Sequence, residues 1–285
     1  MWFKGCFHIH TTNSEGELRP LAVCKWYKNN KYDFIAITDH NFFTKISEKH
    51  FKNFLVIGNS VEFSHFSADL HILGIGLDQD KLNNQDDYQY IINFILNNNG
   101  LAIICHPNWI WGGKFNKLSK LKNYHGIEIF NSFIREEVSG SPFATEKWDY
   151  LLSLGNKVWG FAVDDMHRYG KKWHKHAKRL IGQGWIMVKA DKLEKEEIMN
   201  SIKQGNFYST TGVIIENIYL DKKRYFVKSI NGEEIIFIAD YGRIIKVIDD
   251  SEGEIEISNK YKYIRCEIRS KFGIAYTQPV YLNYS

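Results

Sequence analysis

Short apolar runs alternate with amphipathic stretches through most of this chain, and nearly every run ends in a histidine, aspartate or glutamate. The first, residues 1–10, closes on His8-Ile9-His10. Residues two apart in a strand share a face, so the two imidazoles stand side by side at its end. Residues 32–37 lead into Thr38-Asp39-His40, 54–58 lead towards Glu62, and 69–76 contain His71. Residues 101–105 lead into His106-Pro107, and 158–163 into Asp164-Asp165-Met166-His167. One His-x-His alone reads better as two core or solvated histidines. A series of runs that keeps delivering imidazole and carboxylate to its ends points to a metal such as zinc, manganese or iron.

The intervening stretches have helical spacing. Residues 17–31 set Leu18, Leu21, Ala22 and Tyr27 on one side, with Pro20 in the first turn, where it is tolerated. Residues 85–98 do the same with Tyr88, Ile91, Ile92 and Ile95 and stop at Asn99-Gly100. Residues 144–154 stop at Gly155, and 192–204 at Gly205. Strands alternating with helices predict a parallel, barrel-like α/β domain whose strand carboxyl ends form the active-site rim. From about Thr211 the texture changes. Residues 213–285 hold β-rich runs at 234–238, 243–248 and 261–268, with turns at Asn231-Gly232 and Ser251-Glu252-Gly253. The expected organisation is therefore residues 1–210 as the α/β domain and 211–285 as a small antiparallel sandwich.

A chain of 285 residues is long enough for such a pair of units. The net charge of +4 is small and indicates neither a nucleic-acid nor a membrane partner. A basic stretch, 168–179, leaves nucleic acid open; it reads equally as a phosphate-attracting loop or a solvated one. Cys6, Cys24, Cys105 and Cys266 form no CxxC pair and read as reduced residues, with Cys6 and Cys105 in the core. No charged leader with an apolar stretch opens the sequence, and no run reaches the roughly 18 apolar residues of a membrane helix. The expected location is cytoplasmic.

Taken in order, His8-Ile9-His10, Thr38-Asp39-His40, Glu62, His71 before Leu73-Gly74, His106-Pro107 and Asp165-Met166-His167 resemble the PHP superfamily. Its name joins polymerase and histidinol phosphatase, and its members include metal-dependent phosphoesterases. The resemblance covers roughly residues 1–210. Later segments, among them residues 126–131 and 205–212, are similar to its carbaryl-hydrolase-like branch. The fold implied is a distorted seven-stranded (β/α)7 barrel carrying a C-terminal β-sandwich-like domain.

The resemblance also implies roles. His8, His10, Glu62 and Asp165 would hold one ion, and Glu62, His71 and His106 a second. A third would sit among Glu15, His40 and His167. The family generally shows Ser-Asp-Gly where this chain has Ser14-Glu15-Gly16, a ligand one methylene longer. Asp39 is expected to orient a neighbouring histidine, and Asp164 either does the same or is solvated. Arg168, Asn131 and Trp109 are expected at the substrate pocket, and His50, His65, His125, His174 and His176 on the surface, with His65 also a candidate for the pocket. Two ions about 3.5–4 Å apart clamp the attacking and leaving oxygens of a displacement and provide a hydroxide near neutral pH. Hydrolysis of a small phosphoester, with two or three zinc, manganese or iron ions, is the first expectation. A carbamate, ester or amide hydrolase on the same site is the second. A PHP-like module that only binds nucleic acid or protein is the third, and the complete ligand set argues against it.

Overall fold

The computed structural model describes residues 1–47, 51–64, 70–81, 87–109, 115–137, 140–168 and 181–282. His50, His65 and the basic stretch beyond Arg168, with His174 and His176, lie outside the described residues.

The chain begins with β1 (Trp2–Cys6), α1 (Pro20–Asn29), β2 (Phe34–Ile35), β3 (Leu55–Val56), β4 (Val61–Phe63) and β5 (Ile72–Ile75). Then come α2 (Tyr88–Asn97), β6 (Leu101–Ile104), α3 (Phe115–Leu118), β7 (Gly126–Asn131), α4 (Ser132–Glu137) and α5 (Thr145–Ser153). β8 (Trp159–Val163), β9 (Trp185–Lys189), α6 (Lys195–Lys203) and β10 (Phe207–Thr210) follow. The remainder is β11 (Ile215–Leu220), β12 (Arg224–Ser229), β13 (Glu234–Ala239), β14 (Arg243–Ile248), β15 (Glu252–Glu256), β16 (Tyr263–Ser270), β17 (Gly273–Thr277) and β18 (Val280–Tyr281).

Local chemistry sets the helix ends. Asp87 caps α2 by accepting the Tyr90 N–H, and Ile91, Ile92 and Ile95 form its buried face. α6 carries Glu196 and Glu197 in its first turn and Lys203 in its last, matching the helix dipole. Gly205, at φ +76°, turns the chain out of it.

The expected seven-stranded β/α barrel is not what these strands build. They form a ten-stranded sheet ordered β14-β13-β16-β17-β10-β9-β1-β2-β3, with β18 on β16, a five-stranded sheet β4-β5-β6-β7-β8, and a three-stranded sheet β11-β12-β15. Among the described strands, parallel pairing is confined to β1-β2-β3 and β6-β7-β8. β9 runs antiparallel to β1 and to β10, although α6 separates β9 from β10. β5 runs antiparallel to both β4 and β6. An apolar run looks the same in either pairing direction, so the sequence pattern could not show these reversals.

The two larger sheets pack face to face. Leu73, Ile75, Ile103 and Phe161 of the five-stranded sheet meet Phe7, Phe34, Ile186 and Val188. Helices α2 and α5 cover its opposite face with Ile92, Ile95, Trp148 and Leu152. Two isolated parallel bridges, Ile9 with Met166 and His40 with Glu62, join the sheets where their strands end. That junction brings the imidazoles and carboxylates together.

Beyond β10 the three-stranded sheet packs on the C-terminal part of the ten-stranded one through Val213, Ile215, Tyr225, Val227, Phe237 and Ile268. Buried Arg265 of β16 grips Asp149 of α5 with two 2.7 Å hydrogen bonds and donates to Glu267 at 2.8 Å. Among the described residues no helix is long and apolar enough to cross a membrane.

Candidate metal centre

His8 and His10 follow β1 and are fully buried, as is Glu62 in β4. His8 Nε2 lies 3.0 Å from Glu62 Oε2 and 3.1 Å from Asp165 Oδ1. His10 Nε2 lies 3.1 and 3.3 Å from the same two oxygens. His40 Nδ1 approaches Glu62 Oε2 to 3.1 Å. On the other carboxylate oxygen, Oε1, His71 Nδ1 sits at 2.7 Å and His106 Nε2 at 3.5 Å. His167 completes the ring of imidazoles by stacking on His10, centroids 4.0 Å apart. Its Nδ1–H donates to the Asp165 carbonyl at 3.0 Å.

Among the described residues, four overlapping groups have ligand atoms close enough to share an ion: His8, Glu62, Cys105 and His106; His8, His10 and Asp165; His40, Glu62 and His71; and His10, His40 and His167. Eight of the nine residues expected as metal ligands therefore converge. Glu15 does not join them, because its side chain is exposed. The reason is local: the Gly16 N–H donates to the Thr11 carbonyl, and a Cβ on Gly16 would stand 2.4 Å from the His10 carbonyl oxygen. The loop turns so tightly that glycine faces inward and Glu15 outward. The His10, His40 and His167 group is left without a carboxylate of its own.

Whether these residues suit a metal is tested by atoms that lack hydrogen bonds. His8 Nε2, His10 Nε2, His40 Nδ1, Glu62 Oε2 and Asp165 Oδ1 are all buried and make none, despite their mutual approach. Ligands about 2.1 Å from one ion and about 90–110° apart stand about 3.0–3.4 Å from each other. The observed 3.0–3.3 Å separations match that spacing. The electrostatics agree. Burial opposes charge on His8, yet Asp165, Glu62 and Glu128 hold its imidazole well above the ordinary value. His10 is lifted to about 9 against burial by Asp165 and Glu62. Burial alone would raise the Glu62 and Asp165 carboxyls, but the surrounding imidazoles hold both well below their usual range. Burial, then His10, pushes His167 down to about 3. The site selects for positive charge at its centre, and a divalent cation fits that demand.

Supporting contacts orient the ligands. Glu128 of β7 accepts the His8 Nδ1–H at 2.6 Å, the His106 backbone N–H at 2.6 Å and an Asn131 amide N–H at 2.8 Å. Asn131, expected at the substrate pocket, is buried, and its amide also donates to Asp165 Oδ2 at 3.0 Å. Asp39 accepts from Thr11 N–H and Oγ1, from Ser14 Oγ at 2.6 Å and from Thr44 Oγ1. It reaches His10 through Ser14, whose Oγ lies 3.4 Å from His10 Nδ1. Asp164 is buried and receives Tyr27 O–H and the backbone N–H groups of Gly182, Gln183 and Gly184, so it is not a solvated residue. His106 and Asp165 both adopt positive φ, +25° and +52°, where side chains are disfavoured by about 1–3 kcal/mol.

The open side of the cluster lies towards His40 and His71, whose side chains are 19% and 12% exposed. Trp109 packs its ring against His71 and His106, and Phe133 lies 4.5 Å from the His167 ring. Arg168 is half-buried directly after His167. Sequence reasoning missed Glu128 as a supporting residue and Cys105 as a neighbour of the ligands. An acid inside the apolar run 126–130 was the available signal for Glu128.

No protein-family model and no curated protein matches the chain. The chain is similar to a crystal structure from Bacteroides vulgatus described as a two-domain protein containing a predicted PHP-like metal-dependent phosphoesterase. The identity is 15%, the match covers 98% of this chain and 95% of that one, and the TM-score is 0.57. It shows a shared fold. A weaker likeness, with 13% identity and a TM-score of 0.43, covers 59% of this chain and 88% of an amidohydrolase from Chromobacterium violaceum with bound sulfate and no metal.

Proposed function

We propose that this chain is a metal-dependent hydrolase of the PHP type and that its substrate is a small phosphoester. The observation that carries the proposal is the set of buried, hydrogen-bond-free atoms around Glu62 Oε2. With Nδ1–H given to Glu128, His8 faces two carboxylate oxygens through Nε2. The carboxylates that favour a proton on that nitrogen would equally favour a metal ion in its place, bound by Nε2 and both oxygens. The description of the Bacteroides protein supports the same reading.

His8, His10, Glu62 and Asp165 would hold one ion, Glu62 would share its second oxygen with His71 and His106, and His10, His40 and His167 offer a carboxylate-free place. Bound zinc, manganese or iron would neutralise an oxyanion and ionise a water near neutral pH. The chain's own residues do the rest. Glu62 offers both oxygens at the centre of the imidazole ring, while Glu128 and Asp39 fix the ring planes of His8 and His10. Arg168, next to His167 in the sequence, would meet an anionic substrate. We take residues 1–210 as the unit that holds this chemistry and 211–285 as an all-β unit built onto β10.

A carbamate, ester or amide hydrolase is the second reading, favoured by Trp109 and Phe133 at the mouth, which suit an apolar substituent. Assaying aryl phosphomonoesters, aryl phosphodiesters and aryl esters with added manganese, zinc or iron separates the two. Turnover of a phosphoester is expected. Turnover of esters alone would replace the first reading with the second.

A further inference from the structure

Glu128 makes contacts that no other carboxylate near the cluster makes. It stands in β7, between the strands that deliver His106 and Asp165. One of its oxygens fixes the His8 ring; the other receives the His106 N–H and the Asn131 amide. Asn131 then passes a hydrogen bond to Asp165. In a regular strand, residues 128 and 131 would point to opposite faces. The register of β7 against β8 shifts between Glu128 and Phe130, and this bulge turns Asn131 to the side of Glu128.

We infer that Glu128 is the positioning residue that assembles the centre, setting His8 so that Nε2 faces the ion, holding His106 in its left-handed conformation, and fixing Asp165 through Asn131. The inference rests on the reading of the cluster as a metal centre. Three donors converge on two oxygens, so only an acceptor-only carboxylate serves all of them. The His8 ring has its two nitrogens divided between Glu128 and the cluster: Nδ1 donates, and Nε2 remains a ligand. Without Glu128 the ring is free to exchange tautomers or rotate, and the His106 N–H loses its partner inside the protein.

Glu128→Gln keeps the shape but places an NH2 group where either the His8 Nδ1–H or the His106 and Asn131 donors point. Glu128→Asp keeps the charge and shortens the reach. Zinc affinity is measured by chelator competition on metal-free parent and variants, with near-ultraviolet circular dichroism to show that each is folded. The Gln variant is expected to bind about 10–100-fold more weakly than the parent, with the Asp variant between them. The ligand-field spectrum of the cobalt-loaded protein is expected to change in the Gln variant, which a purely structural role would leave as in the parent. If the Gln variant does not fold, Asn131→Ala serves instead and is expected to weaken binding by about tenfold, the lower end of the same range. A folded variant that binds zinc as tightly as the parent overturns the inference alone. A parent with no zinc affinity overturns the metal centre and the inference with it.

Discussion

His8 Nε2 lies 3.0 Å from Glu62 Oε2, and neither atom makes a hydrogen bond. Two buried groups at hydrogen-bond distance with no bond between them are held there by the rest of the fold. His8 is pinned from behind by Glu128, and Glu62 by the bridge between its strand and His40. The chain prepares the gap for a cation that binds both.

Added metal should therefore stabilise the folded state. At a free concentration 100 times the dissociation constant, a single ion contributes about 2.7 kcal/mol. Thermal unfolding of chelator-treated protein, repeated with zinc or manganese, should show a midpoint that rises with concentration. A midpoint indifferent to both metals would mean that no ion prefers the folded chain.

Glu62 is the residue common to most of the ligand contacts. Glu62→Ala is expected to weaken metal binding at least about 100-fold and to abolish turnover, since it removes a ligand rather than a support. The far-ultraviolet circular dichroism should match the parent's. Parent-level hydrolysis by the variant would show that the reaction occurs elsewhere.

His125, expected on the surface, is instead half-buried and provides a pH-dependent stability. Its Nδ1 accepts the Ala102 N–H at 3.2 Å, so the folded state holds it neutral. Burial, assisted by Lys203, pushes its folded value down to about 4. The ordinary unfolded value is about 6.5, so between the two the unfolded chain binds more protons. The contribution is complete above about pH 6.5 and is lost as pH falls towards 4, by at most about 3 kcal/mol. His125→Asn keeps an acceptor and should flatten that part of the urea-stability profile. An unchanged slope would place the proton uptake on another group.

Arg265 is expected to be the most sensitive position in the C-terminal sheet. Arg265→Met leaves Asp149 buried without its cation, while Glu267 keeps only Arg269 at 2.7 Å, a loss of about 3–5 kcal/mol. Arg265→Lys should recover little, because a single ammonium cannot reproduce the paired hydrogen bonds to Asp149. Urea midpoints close to the parent's for both variants would show that the buried network is energetically idle.

Much of the centre was legible in the sequence because most of the ligands follow an apolar run, although Glu62 lies inside β4 and His71 just before β5. His8, His10, His40, Glu62, His71, His106, Asp165 and His167 all meet. The helices were legible from their spacing, with α1 starting at Pro20 rather than at residue 17. The direction of the strands was not. β9 and β5 read as members of a parallel series because burial on both faces erases the alternation that marks an antiparallel strand. Glu15 looked like a ligand by position, and only the tight turn at Gly16 shows that it faces away. Glu128 was visible as an acid in an apolar run, but its three donors come from residues 8, 106 and 131, a convergence that only the folded chain displays.

The most direct measurement is the metal content of the purified protein after it has been stripped with chelator, reloaded with zinc or manganese and desalted. Elemental analysis should find two or three ions per folded parent chain and fewer in Glu62→Ala. A folded parent that retains no divalent metal would contradict the centre built on His8, His10, Glu62 and Asp165.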